Sequence, residues 1–256
     1  MRILHRQPRP LLRAFVALMW YADGDAPAHT MERLMPDATV ELVINIADDD
    51  CGVVAGPQSL PRFIGTAGQP QSIGAHLHAG GAFPFFGVSV DTLRDRVIDL
   101  HDLWGAHARV LRERLAAART VEARFDLLEE ALLARAARAP DLHPAVPFAL
   151  RALDDPHAPS SVAAVRAQIG IPEGRFVALF REHVGLGPKL YARVRRFGRV
   201  LELVDGGRAV DWAAVAAACG YFDQAHFARD FRAFSGLTPT AYLEARNGHF
   251  RHVPIP

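Results

Sequence analysis

The 256-residue sequence predicts an α+β chain of more than one domain: a β-rich N-terminal part with trailing helices, then an all-α C-terminal part. Three observations predict it. Between residues 1 and 88, short runs of alternating apolar and polar residues are punctuated by Gly and Pro, the pattern of many short strands. From Asp91 the hydrophobic period lengthens to that of helices. Near the C-terminal end one pattern occurs twice, a Phe-bearing helix closed by Gly185-Leu186-Gly187-Pro188 and again by Gly236-Leu237-Thr238-Pro239.

The N-terminal elements follow in order. Residues 11–20 form an apolar run. Val40, Leu42, Ile44 and Ile46 alternate with Glu41 and Asn45, a half-buried strand entered from a turn at Pro36-Asp37-Ala38. Asp48-Asp49-Asp50-Cys51-Gly52 is a polar turn that leads to Val53-Val54-Ala55 as the partner strand of a hairpin. Ile73, Ala75 and Leu77 alternate with Gly74, His76 and His78 before Gly80-Gly81 turns the chain. Thr92 and Asp95 stand at capping-box spacing and predict the start of a short helix. Helices follow over 103–118 and 121–139, the second with Phe125, Leu128 and Leu132 on one face. Residues 140–159 hold Pro140, Pro144, Pro147, Pro156 and Pro159 and read as a linker with one short helix. The expected domains are therefore 1–139, β-rich over 1–88 and helical over 91–139, and 160–256 beyond the linker.

The C-terminal part carries the chemistry. Val215 and Cys219 stand four apart on a small-residue helix, which Gly220 breaks where a short turn needs positive φ. Phe227, Phe231 and Phe234 then recur at i, i+4 and i+7, so the next helix buries a Phe stripe. Its far side presents Ala225, Ala228, Arg229 and Arg232, flanked by Gln224 and His226. Small residues let such a face approach base edges, where amide and guanidinium groups donate hydrogen bonds. This is a helix-turn-helix. A first copy runs from Ser160-Ser161 to Gly170, then from Ile171-Pro172 through Phe176, Leu179, Phe180 and Val184. Phe180 to Gly185 and Phe231 to Gly236 are both five residues, and the two copies lie about fifty residues apart. Between them, residues 191–204 form one helix bearing Arg193, Arg195, Arg196 and Arg199.

The run from Gly220-Tyr221-Phe222-Asp223-Gln224-Ala225-His226-Phe227 to Phe231, with Gly236-Leu237-Thr238-Pro239, closely resembles the second helix-turn-helix signature of AraC/XylS-type transcription regulators. The resemblance implies a first unit over 160–184, a linking helix over 189–204, a second unit over 209–234, and sequence-specific binding of double-stranded DNA. The DNA-binding residues it points to are Arg175, Arg181, Lys189, Gln224, Ala225, His226, Ala228, Arg229 and Arg232. Gln224, His226 and Arg229 are the base-contact candidates, while Arg181, Lys189 and Arg232 suit phosphates. The first unit departs from the family pattern, with Gly174, Val177 and Ala178 at its outward positions, so the second helix is expected to discriminate more. Trp20, Pro36-Asp37, Glu41-Leu42-Val43-Ile44-Asn45, Gly56-Pro57-Gln58, Gly80-Gly81-Ala82 and Leu103-Trp104-Gly105 resemble scattered motifs of a cupin-like sensor module. That resemblance implies control by an effector, which it leaves unidentified.

Composition narrows the remaining classes. No apolar run reaches eighteen residues, so no membrane span is expected, and the N-terminus lacks the apolar core of a signal peptide. Cys51 and Cys219 suggest no disulfide framework, and a reducing cytoplasm is the expected compartment. Cys219, among alanines on a packed helix, reads as a core thiol. From His157 onward there are 13 basic and 8 acidic residues, against 16 and 20 before it, an asymmetry that fits a nucleic-acid footprint on the C-terminal domain. His76 and His78 have a ligand spacing, but Ala82 and Phe83 stand where the metal-binding cupin pattern expects a glutamate. No metal, cofactor or catalytic set is expected, and the chain is not read as an enzyme. The alternative is a cupin-type metalloenzyme with an appended helical domain that binds DNA or localises it. Double-stranded DNA is the expected partner, with RNA polymerase, a small-molecule effector and a second copy of the chain as candidates.

Overall fold

The structure, a computed structural model, describes residues 2–24, 31–47, 50–65, 71–139, 142–155, 161–205, 210–246 and 251–255. The expected turn at Asp48-Asp49 lies outside the described residues, as do Pro140, Pro156, Pro159 and Ser160.

Eight strands come from the N-terminal half: β1 (Arg2–Arg6), β2 (Val16–Asp23), β3 (Met31–Leu34), β4 (Val40–Asn45), β5 (Val53–Ala55), β6 (Arg62–Gly65), β7 (Gln71–Leu77) and β8 (Val97–Asp99). A ninth, β9 (His252–Ile255), comes from the far end of the chain. An antiparallel six-stranded sheet has the order β1-β2-β7-β4-β5-β8, and a second sheet has the order β6-β3-β9. Register follows the alternation seen in the sequence. Met19 and Leu42 both pair with Ala75, which lays three apolar side chains in one row. With Tyr21, Ile44, Ile73 and Leu77 they form the inner face of the larger sheet. On the opposite face the Trp20 indole lies against Gly74, where a Cβ would stand 2.5 Å from the ring.

The inner face is covered by helices: α1 (Phe83–Phe86), α2 (Leu100–Trp104), α3 (Ala106–Ala117) and α4 (Val121–Ala136). Leu111 and Leu115 of α3 and Phe125, Leu128 and Leu132 of α4 complete that core. Burying each such side chain contributes roughly 1.5–3 kcal/mol. A second core lies among α5 (Ala145–Asp154), α6 (Val162–Ile169), α7 (Glu173–Val184), α8 (Pro188–Val204), α9 (Trp212–Ala218), α10 (Gln224–Ser235) and α11 (Pro239–Ala245). The chain is thus a β-rich N-terminal domain followed by a helical C-terminal domain. α5 is the short helix of the Pro-rich stretch, and its Val146, Ala149 and Leu153 pack into the second core.

Two expectations are corrected. Thr92 and Asp95 do not cap a helix. A 3-10 turn spans Val90–Leu93, in which Thr92 Oγ1 donates to the Ser89 carbonyl at 2.7 Å. Asp95 instead accepts the Ser59 amide and hydroxyl, at 2.6 and 2.7 Å. The cap belongs to Asp99, which accepts the His101 amide at 2.7 Å. Residues 103–118 are also not one helix, because Gly105 at φ 58°, ψ −140° separates α2 from α3.

Candidate nucleic-acid interface

The two C-terminal units are built alike. α6 is capped by Ser161, whose hydroxyl accepts the Ala164 amide at 3.1 Å. α9 is capped by Asp211, which accepts the amides of Ala213 and Ala214 at 2.9 and 3.2 Å. Between α9 and α10, Gly220 takes φ 73°, as the turn requires. Asp223 then caps α10 by accepting the His226 amide at 2.6 Å. α7 and α10 both end on a glycine, at Gly185 and Gly236, and Pro188 and Pro239 open the helices that follow.

Packing fixes which faces point outward. In α10, Phe227, Phe231 and Phe234 are buried, and the Phe197 ring of α8 meets those of Phe231 and Phe234 at 5.3 and 5.4 Å. Trp212 of α9 covers Phe227 at 5.7 Å. In α7, Phe176 and Phe180 are buried, with Phe180 5.3 Å from the ring of Tyr191. Cys219 is buried in the same core, and burial pushes its thiol up, away from thiolate chemistry.

Opposite these stripes, Gln224, Ala225, Ala228, Arg229 and Arg232 are exposed on α10. Arg175 and Arg181 are exposed on α7, and Lys189 is exposed in the first turn of α8. Among the described residues, no hydrogen bond or ion pair engages the side chains of Arg175, Arg181, Lys189, Arg229 or Arg232. His226 differs from the rest of the set. It is half-buried, with its ring edge-on to Tyr221 at 5.2 Å and its Nε2 3.7 Å from Asp230.

The arginines of α8 are used internally. Arg193 pairs with the buried Asp230 at 2.7 Å, and Arg195 pairs with Asp154 at 2.9 Å. Arg199 donates to the Leu153 carbonyl at 3.1 Å, and Arg196 lies over the Tyr221 ring at 5.1 Å. Among the described residues, α7, α10 and the start of α8 thus carry unpaired cations, while most of the linking helix's charge holds the domain together. Gly174 and Ala178 are exposed and Val177 half-buried on α7, so that helix offers arginine and methyl contacts and no side-chain amide.

One exposed residue falls outside the expected set. Phe222, in the turn before α10, is 93% exposed. The Phe stripe predicts aromatics inside, whereas this ring stands outside, next in sequence to the buried Tyr221.

The strands reach these helices as well. Arg33 of β3 donates to the Ser235 carbonyl at 3.2 Å. Arg251, just before β9, donates to the Pro36 carbonyl at 2.8 Å and pairs with Asp37 at 3.3 Å. On the outer face of the larger sheet, Glu41 accepts from Trp20 Nε1 and pairs with His76 Nδ1 at 2.6 Å. Burial pulls the His76 imidazolium down, but the hydrogen bond and charge of Glu41 outweigh it and the net shift is upward. His78 is exposed, and no group of three His, Cys, Asp or Glu side chains that could hold a metal occurs among the described residues. No helix among them is long and apolar enough to cross a membrane.

Comparison with known proteins finds two family matches, one at each end of the chain. Residues 166–245 match a family described as a helix-turn-helix domain, and residues 4–99 match a domain of unknown function, DUF6597. The chain is similar to a protein described as a probable transcriptional regulator, LumQ, from Photobacterium leiognathi, with 30% identity over 82 residues. That match covers 32% of this chain and 33% of LumQ, so the chain spans about a third of that relative. Among solved structures, an apo variant of ToxT from Vibrio cholerae aligns with a TM-score of 0.41 and 10% identity, over 94% of this chain and 96% of that one. Wild-type ToxT bound to an unsaturated fatty acid aligns with a TM-score of 0.41 and 10% identity, over 94% and 93%. The chain thus matches a DUF6597 domain over residues 4–99 and a helix-turn-helix domain over residues 166–245.

Proposed function

We propose that this chain is a sequence-specific DNA-binding transcription regulator that reads double-stranded DNA with α7 and α10 and is controlled through its N-terminal domain. The observation that carries the reading is the outward face of α10. Gln224, Ala225, Ala228, Arg229 and Arg232 are exposed there, opposite a buried Phe stripe, and the two arginines have no internal partner. Unpaired guanidinium groups on a helix lined with small residues can donate to phosphates and to base edges. Gln224 and Arg229 are the base readers. Arg232, Arg181, Arg175 and Lys189 position the phosphates. Ala225 and Ala228 admit the helix to the groove, and His226 acts from the edge of the face because Tyr221 and Asp230 already engage its ring. The domain limits that serve this reading are those of the sequence: a sensor over 1–139, a linker over 140–159 and a DNA-binding domain over 160–256. RNA polymerase and a second copy of the chain remain partners of the proposal.

A salt titration of affinity tests it, using DNA fragments from beside the chain's own gene and comparing the wild type with Arg229→Ala. Binding should weaken steeply with salt, and the substitution should cost about 1–3 kcal/mol on the preferred fragment and less on others. Uniform weakening on all fragments would make Arg229 a phosphate contact and leave discrimination to Gln224. Absence of salt-sensitive, sequence-preferring binding sinks the reading.

A further inference from the structure

Away from the DNA-facing surface, a cavity of about 850 Å³ opens between α3 and α4. Its apolar wall includes Trp104, Val110, Leu111 and Ala134, and Glu182 of α7 lines its edge. The volume lies within the roughly 300–1,000 Å³ usual for small-molecule sites. Val110 is half exposed there although it is a large apolar side chain on a helix, so the wall is left open to solvent rather than closed by the chain itself.

Two arginines in the cavity lining, Arg135 and Arg138, have no anionic partner among the described residues. Arg114 is neutralised by Glu130 at 3.2 Å. Arg135 is different: its guanidinium lies 4.3 Å from the Trp104 ring centroid, and among the described residues no carboxylate or carbonyl accepts from it. A guanidinium over an aromatic ring keeps its five N–H donors, which remain available to an acceptor. Burial and the neighbouring Arg138 both lower the Arg135 pKa, which marks a cation held in reduced solvent beside like charge. Each of these costs would be relieved by an anion.

The geometry points to a small-molecule site in the groove between α3 and α4 that takes an organic anion with an apolar body, its charged group on Arg135 and its body against Trp104, Val110 and Leu111. The site adjoins the DNA-binding domain. Glu182 at the cavity edge is followed by His183, whose ring meets that of Phe83 in α1 at 4.2 Å. Occupancy therefore bears on the last turn of α7, a coupling that rests on the DNA-binding reading, whereas the site itself does not.

The test uses the full chain and two fluorescent probes, 8-anilinonaphthalene-1-sulfonate and its uncharged counterpart N-phenyl-1-naphthylamine. The sulfonate should bind at one saturable site. Arg135→Gln should weaken it about tenfold or more, the size of a charge-assisted hydrogen bond, and leave the uncharged probe unchanged. Ala134→Phe, at an exposed position, should weaken both probes by filling the groove. Equal effects of Arg135→Gln on both probes, or none on either, overturn the site. So does a dimer that Ala134→Phe dissociates while the probes leave it intact, because the groove would then be a subunit interface. For the coupling, the sulfonate should change DNA affinity in the wild type and not in Arg135→Gln. An unchanged affinity in both overturns the coupling. Loss of all DNA binding counts against the regulator reading instead and leaves the probe result standing.

Discussion

Arg33 on β3 donates from Nη1 to the carbonyl oxygen of Ser235, 3.2 Å away at the end of α10. The N-terminal domain thus satisfies one of the orphan carbonyls of the helix whose opposite end presents Gln224. The same strand pairs with β9, register Arg33 to Val253, so β3 holds both β9 and the end of the second outward helix. A cation at a helix C-terminus typically contributes about 0.3–1 kcal/mol. Arg33→Ala should lower stability by about that amount and speed amide exchange at Gly236 and Leu237. Exchange identical to the wild type would show that the contact restrains nothing.

Asp230 is the buried acid of α10, and Arg193 is its main counter-charge. The carboxylate is inside while the Arg193 side chain is 46% exposed, so solvent screens one end of the pair. Removing the cation alone strands the anion, with His226, 3.7 Å away, as its remaining ionic neighbour among the described residues. Arg193→Ala should therefore cost about 1–3 kcal/mol, and the double variant Arg193→Ala with Asp230→Ala should cost less than Arg193→Ala alone. Equilibrium denaturation of the set decides it. A double variant worse than the single one would mean that Asp230 serves the fold beyond this pair.

These contacts mark where the sequence is legible. The half-buried strand at Val40, Leu42 and Ile44, the two Phe stripes and the Gly-to-Pro closures are local, because each follows from a period or a backbone constraint within one element. The outward set on α10 was readable for the same reason, since a buried stripe defines its opposite face. Asp230, at the position next to that stripe, gives no local sign that Arg193 will meet it from another helix. β1, β3 and β9 lack an alternating core face, with β1 largely exposed, and are stabilised by partners far away in the chain. Capping failed at Thr92 for a related reason. The spacing was right, but Asp95 is drawn to Ser59, thirty-six residues away, which no helix-start pattern records.

Gly105 joins α2 to α3 at φ 58°, ψ −140°, a region in which a side chain is strained whatever the space around it. A Cβ there would meet nothing within 4 Å, so Gly105→Ala isolates the backbone cost from packing. It should destabilise the chain by about 1–3 kcal/mol. Near-neutral behaviour would mean that the α2–α3 junction can relax into one continuous helix, as the residue pattern over 103–118 first suggests.

The buried His183 and the half-buried His76 shift in opposite directions, which makes their contributions to the pH dependence of stability separable. Burial holds the His183 imidazolium below its ordinary value of 6.5, with Glu182 opposing and His143 adding to the shift. Its Nδ1 is buried without a hydrogen-bond partner, so the neutral ring is the form that fits. Between 6.5 and the lowered folded value the unfolded chain binds more protons, and stability falls as pH falls through that window. His76 runs the other way. Its folded value is raised by Glu41, so its contribution is fully present below 6.5 and is lost as pH rises through the raised value. Denaturant midpoints near neutrality and at about pH 5 should therefore separate the two variants. His183→Leu should lose less stability on acidification than the wild type, and His76→Gln should lose more. If His183→Leu acidifies like the wild type, the ring against Phe83 is already open to protons, and the junction between α1 and α7 is wetter than its packing implies.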